Sequence, residues 1–163
     1  MSVIDEFLSN NRNYAKNFTN GSLPMPPAKK LALVVCMDSR MDTFGMLGMD
    51  LGQAHIIRNA GGVVTDDVIR SLIISQRLQN TRAVMLVHHT DCGMLTFTDA
   101  EMKQRLKDET GVTLPFAMEA FTDLDENVRD SIARIKNNPF IPNREEVRGF
   151  VYDVKTGKLR EVS

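Results

Sequence analysis

The pattern of apolar residues in this chain predicts an α/β fold in which a mostly parallel central sheet is flanked by helices. Three short runs, at 31–36, 54–57 and 83–87, are mostly apolar, as in strands that are buried on both faces of a parallel sheet. The segment 64–78, between the second and third runs, repeats its apolar residues at helical spacing. Because strands that alternate with helices form right-handed parallel sheets, these observations predict a single α/β domain.

Residues 1–27 predict a helical arm followed by a proline-rich linker. Within residues 1–20, apolar side chains recur at a spacing that gives a helix one apolar face. These side chains are Val3, Ile4, Phe7, Leu8, Tyr14 and Phe18. The stretch 21–27 contains three prolines and can therefore be neither a helix nor a central strand. We expect residues 28–163 to form the globular domain, on which the arm packs unless it packs on a second subunit.

The remaining elements follow in order along this domain. Thr65 is placed to cap the helix predicted over 64–78, which has acidic residues in its first turn. Further helices are predicted over 99–107 and 124–136. A strand is predicted over 147–154, and a turn then leads into a last short strand. The chain contains no internal repeat, so we expect one core of ordinary size.

Composition and charge exclude several classes of function. The 20 basic and 21 acidic residues give a net charge of -1 without a like-charged run, so we expect no nucleic-acid partner and no membrane partner. The longest apolar stretch is far too short to span a bilayer, and the N-terminus lacks the features of a signal peptide. We therefore expect a cytoplasmic protein whose two cysteines stay reduced and act as metal ligands or reactive thiols.

Two polar clusters directly follow predicted strands. Cys36, Asp38 and Arg40 come after the first strand, and His89 and Cys92 come after the third. Because ligands bind outside the carboxyl ends of parallel strands, the clusters converge if the two strands are neighbours. Two thiolates and one imidazole match the ligand preference of zinc, and three protein ligands leave a fourth position open. The sequence therefore predicts a catalytic Zn2+ site formed by Cys36, His89 and Cys92.

The proximity of Asp38 and Arg40 predicts a catalytic role beyond metal ligation. A bidentate arginine keeps a carboxylate ionised, so that Asp38 can accept a hydrogen bond from zinc-bound water and orient it. If the pair breaks, Asp38 can reach the metal as a fourth ligand and close the site. Zinc lowers the pKa of bound water to about 7. The predicted chemistry is attack of hydroxide on an electrophilic carbon of a very small substrate, since the chain contains no nucleotide or phosphate motif.

Two motifs, C-M-D-S-R at 36–40 and H-T-D-C-G at 89–93, resemble the signature of the β-carbonic anhydrase family. The segment R-N-A-G-G at 58–62 is similar to the stretch that lies beside the active site in that family. The resemblance implies that Gly61 and Gly62 lie at the substrate pocket. It also implies that the zinc ligands and the catalytic carboxylate–arginine pair are the residues predicted above.

The resemblance further implies an assembly and a class of substrate. Members of the family build their sites at a dimer interface, with N-terminal helices around the partner, so we expect a homodimer or homotetramer with residues 28–163 as the catalytic domain. The short chain, and Met94 where a second glycine is usual, resemble a compact subgroup of carbonic anhydrases and hydrolases of carbonyl sulfide and carbon disulfide. All of these attack a linear heterocumulene with zinc hydroxide. We rank carbonyl sulfide hydrolysis to hydrogen sulfide and carbon dioxide first, and reversible hydration of carbon dioxide to bicarbonate second.

Several interpretations stay open at this point. In one alternative Cys92 is the nucleophile of a hydrolase and His89 is its base; in another the protein is a non-catalytic zinc module with Asp38 as fourth ligand. We expect Asp91 to serve only in the turn, and Arg58 to belong to a set of surface or interface arginines. Five methionines near the motifs either fill the core or form a pocket that favours a sulfur-containing substrate. They are Met37, Met41, Met46, Met49 and Met94.

Overall fold

A five-stranded sheet forms the centre of the protein, whose computed structural model describes residues 2–163; Met1 of the predicted arm lies outside them. The strands are β1 (Leu31–Cys36), β2 (Ala54–Asn59), β3 (Ala83–His89), β4 (Val147–Tyr152) and β5 (Leu159–Val162). They lie in the order β2-β1-β3-β4-β5. Neighbours are parallel, except that β5 is antiparallel to β4. The expected mostly parallel sheet is confirmed.

The part of the chain that the structure describes contains five α-helices. They are α1 (Val3–Lys16), α2 (Thr43–Leu47), α3 (Asp66–Gln79), α4 (Asp99–Thr110) and α5 (Leu124–Lys136). The Thr65 side chain accepts a hydrogen bond from the backbone nitrogen of Val68 at 3.4 Å, as expected for the cap of α3. The bounds of α5 are those predicted. Helix α2 was not predicted, because its five residues are too few to show a helical period and they include Gly45.

Both faces of the sheet are covered, which explains the continuous apolar runs. Val34 is fully buried in a cluster with Leu72 of α3 and Ile135 of α5. Val35, which points to the opposite face, is fully buried in a second cluster that includes Phe121. A strand whose alternate side chains enter two cores cannot alternate between polar and apolar residues.

Helix α1 is well capped but leaves its apolar face uncovered. Ser2 and Asp5 exchange the two hydrogen bonds of a capping box at its start, at 2.9 and 3.2 Å. None of its residues is buried, and Val3, Ile4 and Phe7 are 63%, 67% and 62% exposed. The predicted arm is therefore a helix with an apolar face that finds no cover within this chain. No helix of residues 2–163 is both long and apolar enough to cross a membrane.

Parallel pairing of β1 with β3 brings the two predicted motifs to one edge of the sheet. The two strands are direct neighbours, and Val35 pairs with Val87. Cys36 and His89, the last residues of these strands, therefore end at the same edge. A short 3-10 turn at 60–62 follows β2 at this edge as well. This is the neighbour relationship on which convergence of the clusters depended.

Candidate metal centre

Cys36, His89 and Cys92 meet at the carboxyl edge of the sheet. One ligand atom from each residue lies within 4.8 Å of the other two. All three residues are buried, with 4%, 0% and 4% of their surface exposed. Tetrahedral zinc bonds of about 2.0–2.3 Å place ligand atoms about 3.5–3.8 Å apart. The three ligand atoms are therefore close enough together to share one ion.

The His89 ring is oriented as a metal ligand requires. Its Nδ1 lies 2.8 Å from the carbonyl oxygen of Thr90, so the Nδ1–H donates there and the lone pair stays on Nε2. The buried Nε2 has no hydrogen-bond partner among the described residues, which is costly for a polar atom. Metal-binding histidines commonly donate their other N–H to a backbone carbonyl. The donor set and the orphaned nitrogen fit a zinc ion.

The two cysteines interact through their sulfurs and form no disulfide. Their mutual hydrogen bond lowers the pKa of the Cys36 thiol and raises the pKa of the Cys92 thiol. Ionisation of Cys36 is therefore favoured over that of Cys92. A metal ion would favour the deprotonated form of both, because thiolates are the ligating species.

Asp38 and Arg40 form the predicted bidentate pair beside this cluster. Arg40 Nε and Nη2 donate to Asp38 Oδ1 and Oδ2 at 2.9 and 2.8 Å, and the Arg40 backbone N–H donates to Oδ1 at 2.9 Å. The hydrogen bonds from Arg40 hold the pKa of the Asp38 carboxyl well below its usual range. Asp38 Oδ2 lies 3.7 Å from His89 Nε2. The carboxylate thus borders the ligand cluster while it is bound to the arginine.

Asp91 makes a contact that our turn-only expectation omitted. Arg40 Nη1 donates to Asp91 Oδ2 at 2.8 Å, and Arg40 Nη2 donates to the Asp91 backbone oxygen at 3.0 Å. Asp91 does lie in the turn, with a φ of +56°. The contact joins residues 51 positions apart, so motif spacing alone carries no sign of it. Asp91 links the turn between His89 and Cys92 to the carboxylate–arginine pair.

Arg58 is exposed, but its guanidinium holds the loop after β1. Its Nε donates to the carbonyl oxygen of Cys36 at 3.0 Å, and its Nη2 donates to that of Asp38 at 2.7 Å. Its Nη1 donates to the carbonyl oxygen of Met41 at 3.3 Å. The planar fork of arginine suits several acceptors at once. Arg58 does lie at the surface, as expected, but these contacts give it a positioning role that the expectation omitted. The available signal was its place as the first residue of the R-N-A-G-G segment.

A small cavity of about 200 Å³ opens at the ligand cluster. Besides the three predicted ligands and Asp38, its lining residues are Met37, Ala60, Gly61, Gly93 and Met94. Gly61 lines the cavity. Gly62 instead lies behind this wall with a φ of +68°, where a Cβ atom would be 2.9 Å from the backbone nitrogen of Cys36. Gly62 thus permits close approach of two backbones and does not line the pocket.

Four of the five methionines belong to the core, and two of the five line the cavity. Met41 is 2% exposed in the core, and Met46 and Met49 pack against the same cluster. Met37 and Met94 both line the cavity. Met94 also belongs to the core, with 7% of its surface exposed, whereas Met37 is 65% exposed. Core filling therefore applies to four of the methionines, and a pocket role to Met37 and Met94.

The loop between α4 and α5 supports the cavity wall. The backbone nitrogen of Phe121 donates to the carbonyl oxygen of Met94 at 3.3 Å. The Asp99 carboxylate accepts hydrogen bonds from the backbone nitrogens of Met118 and Ala120 at 2.8 and 2.9 Å. The loop is therefore tied at one point to α4 and at another to the cavity wall.

Known proteins resemble this chain in sequence and in fold. The profile of the family described as carbonic anhydrase matches residues 31–159. β-Carbonic anhydrase 1 of Mycobacterium tuberculosis is 56% identical over 163 residues, which are 100% of this chain and 99% of the relative. The carbon disulfide hydrolase of Saccharolobus solfataricus is 34% identical over 184 residues, covering 97% of this chain and 88% of the relative. The crystal structure of a carbonic anhydrase from Streptococcus mutans gives a TM-score of 0.94 at 46% identity, covering 100% of this chain and 99% of that one.

These likenesses extend over the whole fold as well as over the motifs. The family profile runs from β1 to the first residue of β5 and includes both ligand-bearing turns. The relatives and the solved structure align with nearly all of the chain, the arm α1 included. The chain belongs to the β-carbonic anhydrase family, whose members are zinc enzymes.

Proposed function

We propose that this enzyme catalyses the reversible hydration of carbon dioxide to bicarbonate. The observation that carries the proposal is the convergence of Cys36, His89 and Cys92 on one point, with the ionised Asp38 carboxylate beside them. From the sequence we ranked carbonyl sulfide first, but the mycobacterial β-carbonic anhydrase is much more similar to this chain than the carbon disulfide hydrolase is. The relatives therefore support carbon dioxide, and the sulfur-containing heterocumulenes become the competing substrates.

Cys36, His89 and Cys92 would hold the zinc ion of this site. The contact of Nδ1 with the Thr90 carbonyl directs Nε2 of His89 toward the two sulfurs. When bound, zinc lowers the pKa of a coordinated water so that hydroxide is available near neutral pH. Three ligands from two turns leave room for solvent, which is the arrangement of a catalytic rather than a structural site.

Asp38 would orient the attacking water. Its Oδ2 borders the ligand cluster, and its hydrogen bonds with Arg40 keep it ionised. A carboxylate with a low pKa accepts a hydrogen bond but does not retain the proton. Asp38 would therefore orient the attacking oxygen through this hydrogen bond without keeping the proton. Its contribution to the rate would come from orientation.

The size and lining of the cavity suit an uncharged substrate of three atoms. A volume of about 200 Å³ is below the roughly 300–1,000 Å³ of sites for drug-sized ligands. Met37, Ala60 and Met94 give it apolar walls. Carbon dioxide satisfies both conditions, as carbonyl sulfide does, so substrate preference has to be measured.

The decisive experiment compares initial rates on carbon dioxide, carbonyl sulfide and carbon disulfide with one zinc-quantified preparation. We expect the largest kcat/KM for carbon dioxide, and a tenfold higher value for either sulfur compound would contradict the proposal. A Met37→Leu/Met94→Leu variant tests the pocket interpretation of the methionines. We expect an unchanged ratio of rates, because leucine keeps the volume and removes only the polarisable sulfur.

Metal removal separates this proposal from the two other classes. A cysteine-nucleophile hydrolase would keep full activity after chelation and lose it on thiol alkylation. A non-catalytic module would bind zinc and show no turnover at any pH. We expect activity to fall with chelation and to return in proportion to the zinc restored.

We further propose a homodimer or homotetramer in which the arm, residues 1–27, covers a partner and residues 28–163 form the catalytic domain. The uncovered face of α1 needs a partner surface, and the edge strand β2 borders a groove of about 570 Å³. Apolar residues of this groove include Phe44, Leu51, Ile56 and Ile74. Light scattering should give a multiple of the chain mass for the wild type and a smaller mass for Phe7→Glu.

We also propose a cytoplasmic location, because the two cysteines are free thiols, and cell fractionation tests it.

A further inference from the structure

Arg40 is held by two carboxylates, of which only Asp38 belongs to the catalytic pair. A guanidinium has five N–H donors. Two of them, on Nε and Nη2, bind the Asp38 carboxylate. Two others, on Nη1 and Nη2, bind the side chain and the backbone oxygen of Asp91. Asp91 therefore accounts for half of the hydrogen bonds that fix the guanidinium.

The position of Asp91 makes it a fixed anchor for that guanidinium. It lies between His89 and Cys92 in a tight turn, and both of these neighbours are buried. Its φ of +56° is left-handed, a conformation that aspartate and asparagine tolerate better than most residues. Arg40 is thereby attached to the turn that carries two ligands, and it cannot follow Asp38 without breaking two hydrogen bonds.

Asp38 lies close enough to the ligand cluster to reach a bound metal ion if Arg40 does not hold it. Asp38 Oδ2 lies 3.7 Å from His89 Nε2, so a small rotation would bring the carboxylate to an ion bound by that nitrogen. We propose that Asp91 is a positioning residue, which keeps Arg40 on Asp38 and so keeps the Asp38 carboxylate out of the open metal position. This inference rests on the proposed metal site.

The expected effect is moderate, because the contact is at the surface. The side chains of Arg40 and Asp91 are 45% and 73% exposed. Exposed ion pairs of this kind change an equilibrium by about 1.4- to 5-fold, and the second hydrogen bond, to the Asp91 backbone, survives substitution of the side chain. We therefore expect loss of the Asp91 carboxylate to shift the balance between the two positions of Asp38 by about two- to fivefold.

The test is a double-mutant cycle read by azide binding to the cobalt-substituted enzyme. Azide is a linear triatomic anion that competes for the open position, and the visible absorption of cobalt reports its binding without any turnover. Azide dissociation constants are measured for the wild type, Asp91→Asn, Asp38→Ala and the double variant. Asparagine keeps the size of Asp91 and its tolerance of a positive φ, so only the charge is removed.

The cycle separates competition by Asp38 from a general charge effect. Removing a negative charge near the metal strengthens azide binding in both backgrounds. Because azide competes only with the metal-bound position of Asp38, we expect a weakening of up to fivefold relative to the effect of the same change in the Asp38→Ala background. Equal effects in the two backgrounds would overturn the inference, because a merely structural role of Asp91 does not depend on Asp38. The variant Asp91→Gly, which also suits the φ of +56°, serves if Asp91→Asn fails to fold.

Matched controls distinguish a failure of the Asp91 inference from a failure of the proposed metal site. Asp67→Asn removes a surface carboxylate that pairs with Arg70 at 2.8 Å, with both side chains 70% exposed, and should leave azide affinity unchanged. If the wild type binds no cobalt at Cys36, His89 and Cys92, the metal site itself is wrong. If it binds cobalt and azide while the cycle shows no coupling, only the role of Asp91 is wrong.

Discussion

Replacing Arg58 by lysine should loosen the loop that carries Cys36 and Asp38 while leaving the metal ligands in place. Arg58 donates to the carbonyl oxygens of Cys36, Asp38 and Met41. Lysine keeps the positive charge and reaches one of these acceptors. It cannot span all three, because its ammonium group lacks the planar fork. The change therefore tests geometry rather than charge.

The magnitude follows from the hydrogen bonds that are lost. A hydrogen bond contributes about 0.5–1.5 kcal/mol net, and the contact with Met41, at 3.3 Å, belongs at the low end. Water replaces part of the loss, because Arg58 is exposed. We expect the free energy of unfolding to fall by about 1–2 kcal/mol. If the same loss falls on the ordering of Asp38, kcat/KM falls by about 5- to 30-fold.

The assay combines urea unfolding, zinc content and kcat/KM for carbon dioxide. We expect full zinc content with reduced kcat/KM, and partial recovery of Arg58→Ala when free guanidinium is added at a concentration below its denaturing range. Arg105→Lys is the matched control, since Arg105 pairs among residues 2–163 only with Glu109, on the surface of α4. This change should alter stability by less than about 0.5 kcal/mol. An Arg58→Lys enzyme with wild-type stability and wild-type kcat/KM would refute the reasoning.

Three further predictions concern the metal, a glycine and the loop before α5. Cys36→Ser should lose stoichiometric zinc, whereas Asp38→Ala should keep zinc and lose most activity; elemental analysis with rate assays checks both. Gly62→Ala should destabilise by more than about 2 kcal/mol, because it adds a backbone clash to a strained φ; Gly48→Ala, at a φ of +60° with open space around its Cβ, measures the strain alone. The pKa of Asp99 is lowered, because backbone N–H donors outweigh the opposing effect of burial. Its stabilising contribution is therefore complete above its ordinary pKa of 3.8 and is lost as the pH falls through the lower folded value. The free energy of unfolding of Asp99→Asn should be about 1–3 kcal/mol lower than that of the wild type at pH 7, and this difference should shrink in acid. A difference that does not change with pH would contradict the stabilising role of the ionised Asp99 carboxylate.

The ligand set was predictable because each of its residues lies at the end of a buried strand or shortly after it. Parallel strands that are buried on both faces can be recognised in a sequence as continuous apolar runs, and their carboxyl ends lie at the same edge of the sheet. The prediction ended β3 at residue 87, however, because the apolar run ends there. In the structure β3 continues to His89, which pairs with Tyr152. Because His89 is polar, sequence analysis assigned it to the following loop although it is the last residue of the strand.

Arg58 and Asp91 were not recognised because their roles depend on contacts between distant segments. Both residues lie within the quoted segments 58–62 and 89–93, but without the contacts each is interpreted as an ordinary surface or turn residue. Gly62 was expected at the pocket but serves behind it, a distinction that depends on backbone packing. The preferred substrate was beyond sequence reasoning for another reason: carbon dioxide and carbonyl sulfide make the same demands on ligands and on cavity size.

The two tethers of the loop between α4 and α5 identify a place where the chain can be extended. Asp99 holds the end of this loop through the backbone nitrogens of Met118 and Ala120. Ahead of these tethers, Val112 and Phe116 are 67% and 61% exposed, and such loop tips tolerate added residues. A fluorescent reporter or affinity peptide inserted between residues 112 and 116 should therefore leave the cavity wall intact. This makes the loop suitable for immobilising the enzyme.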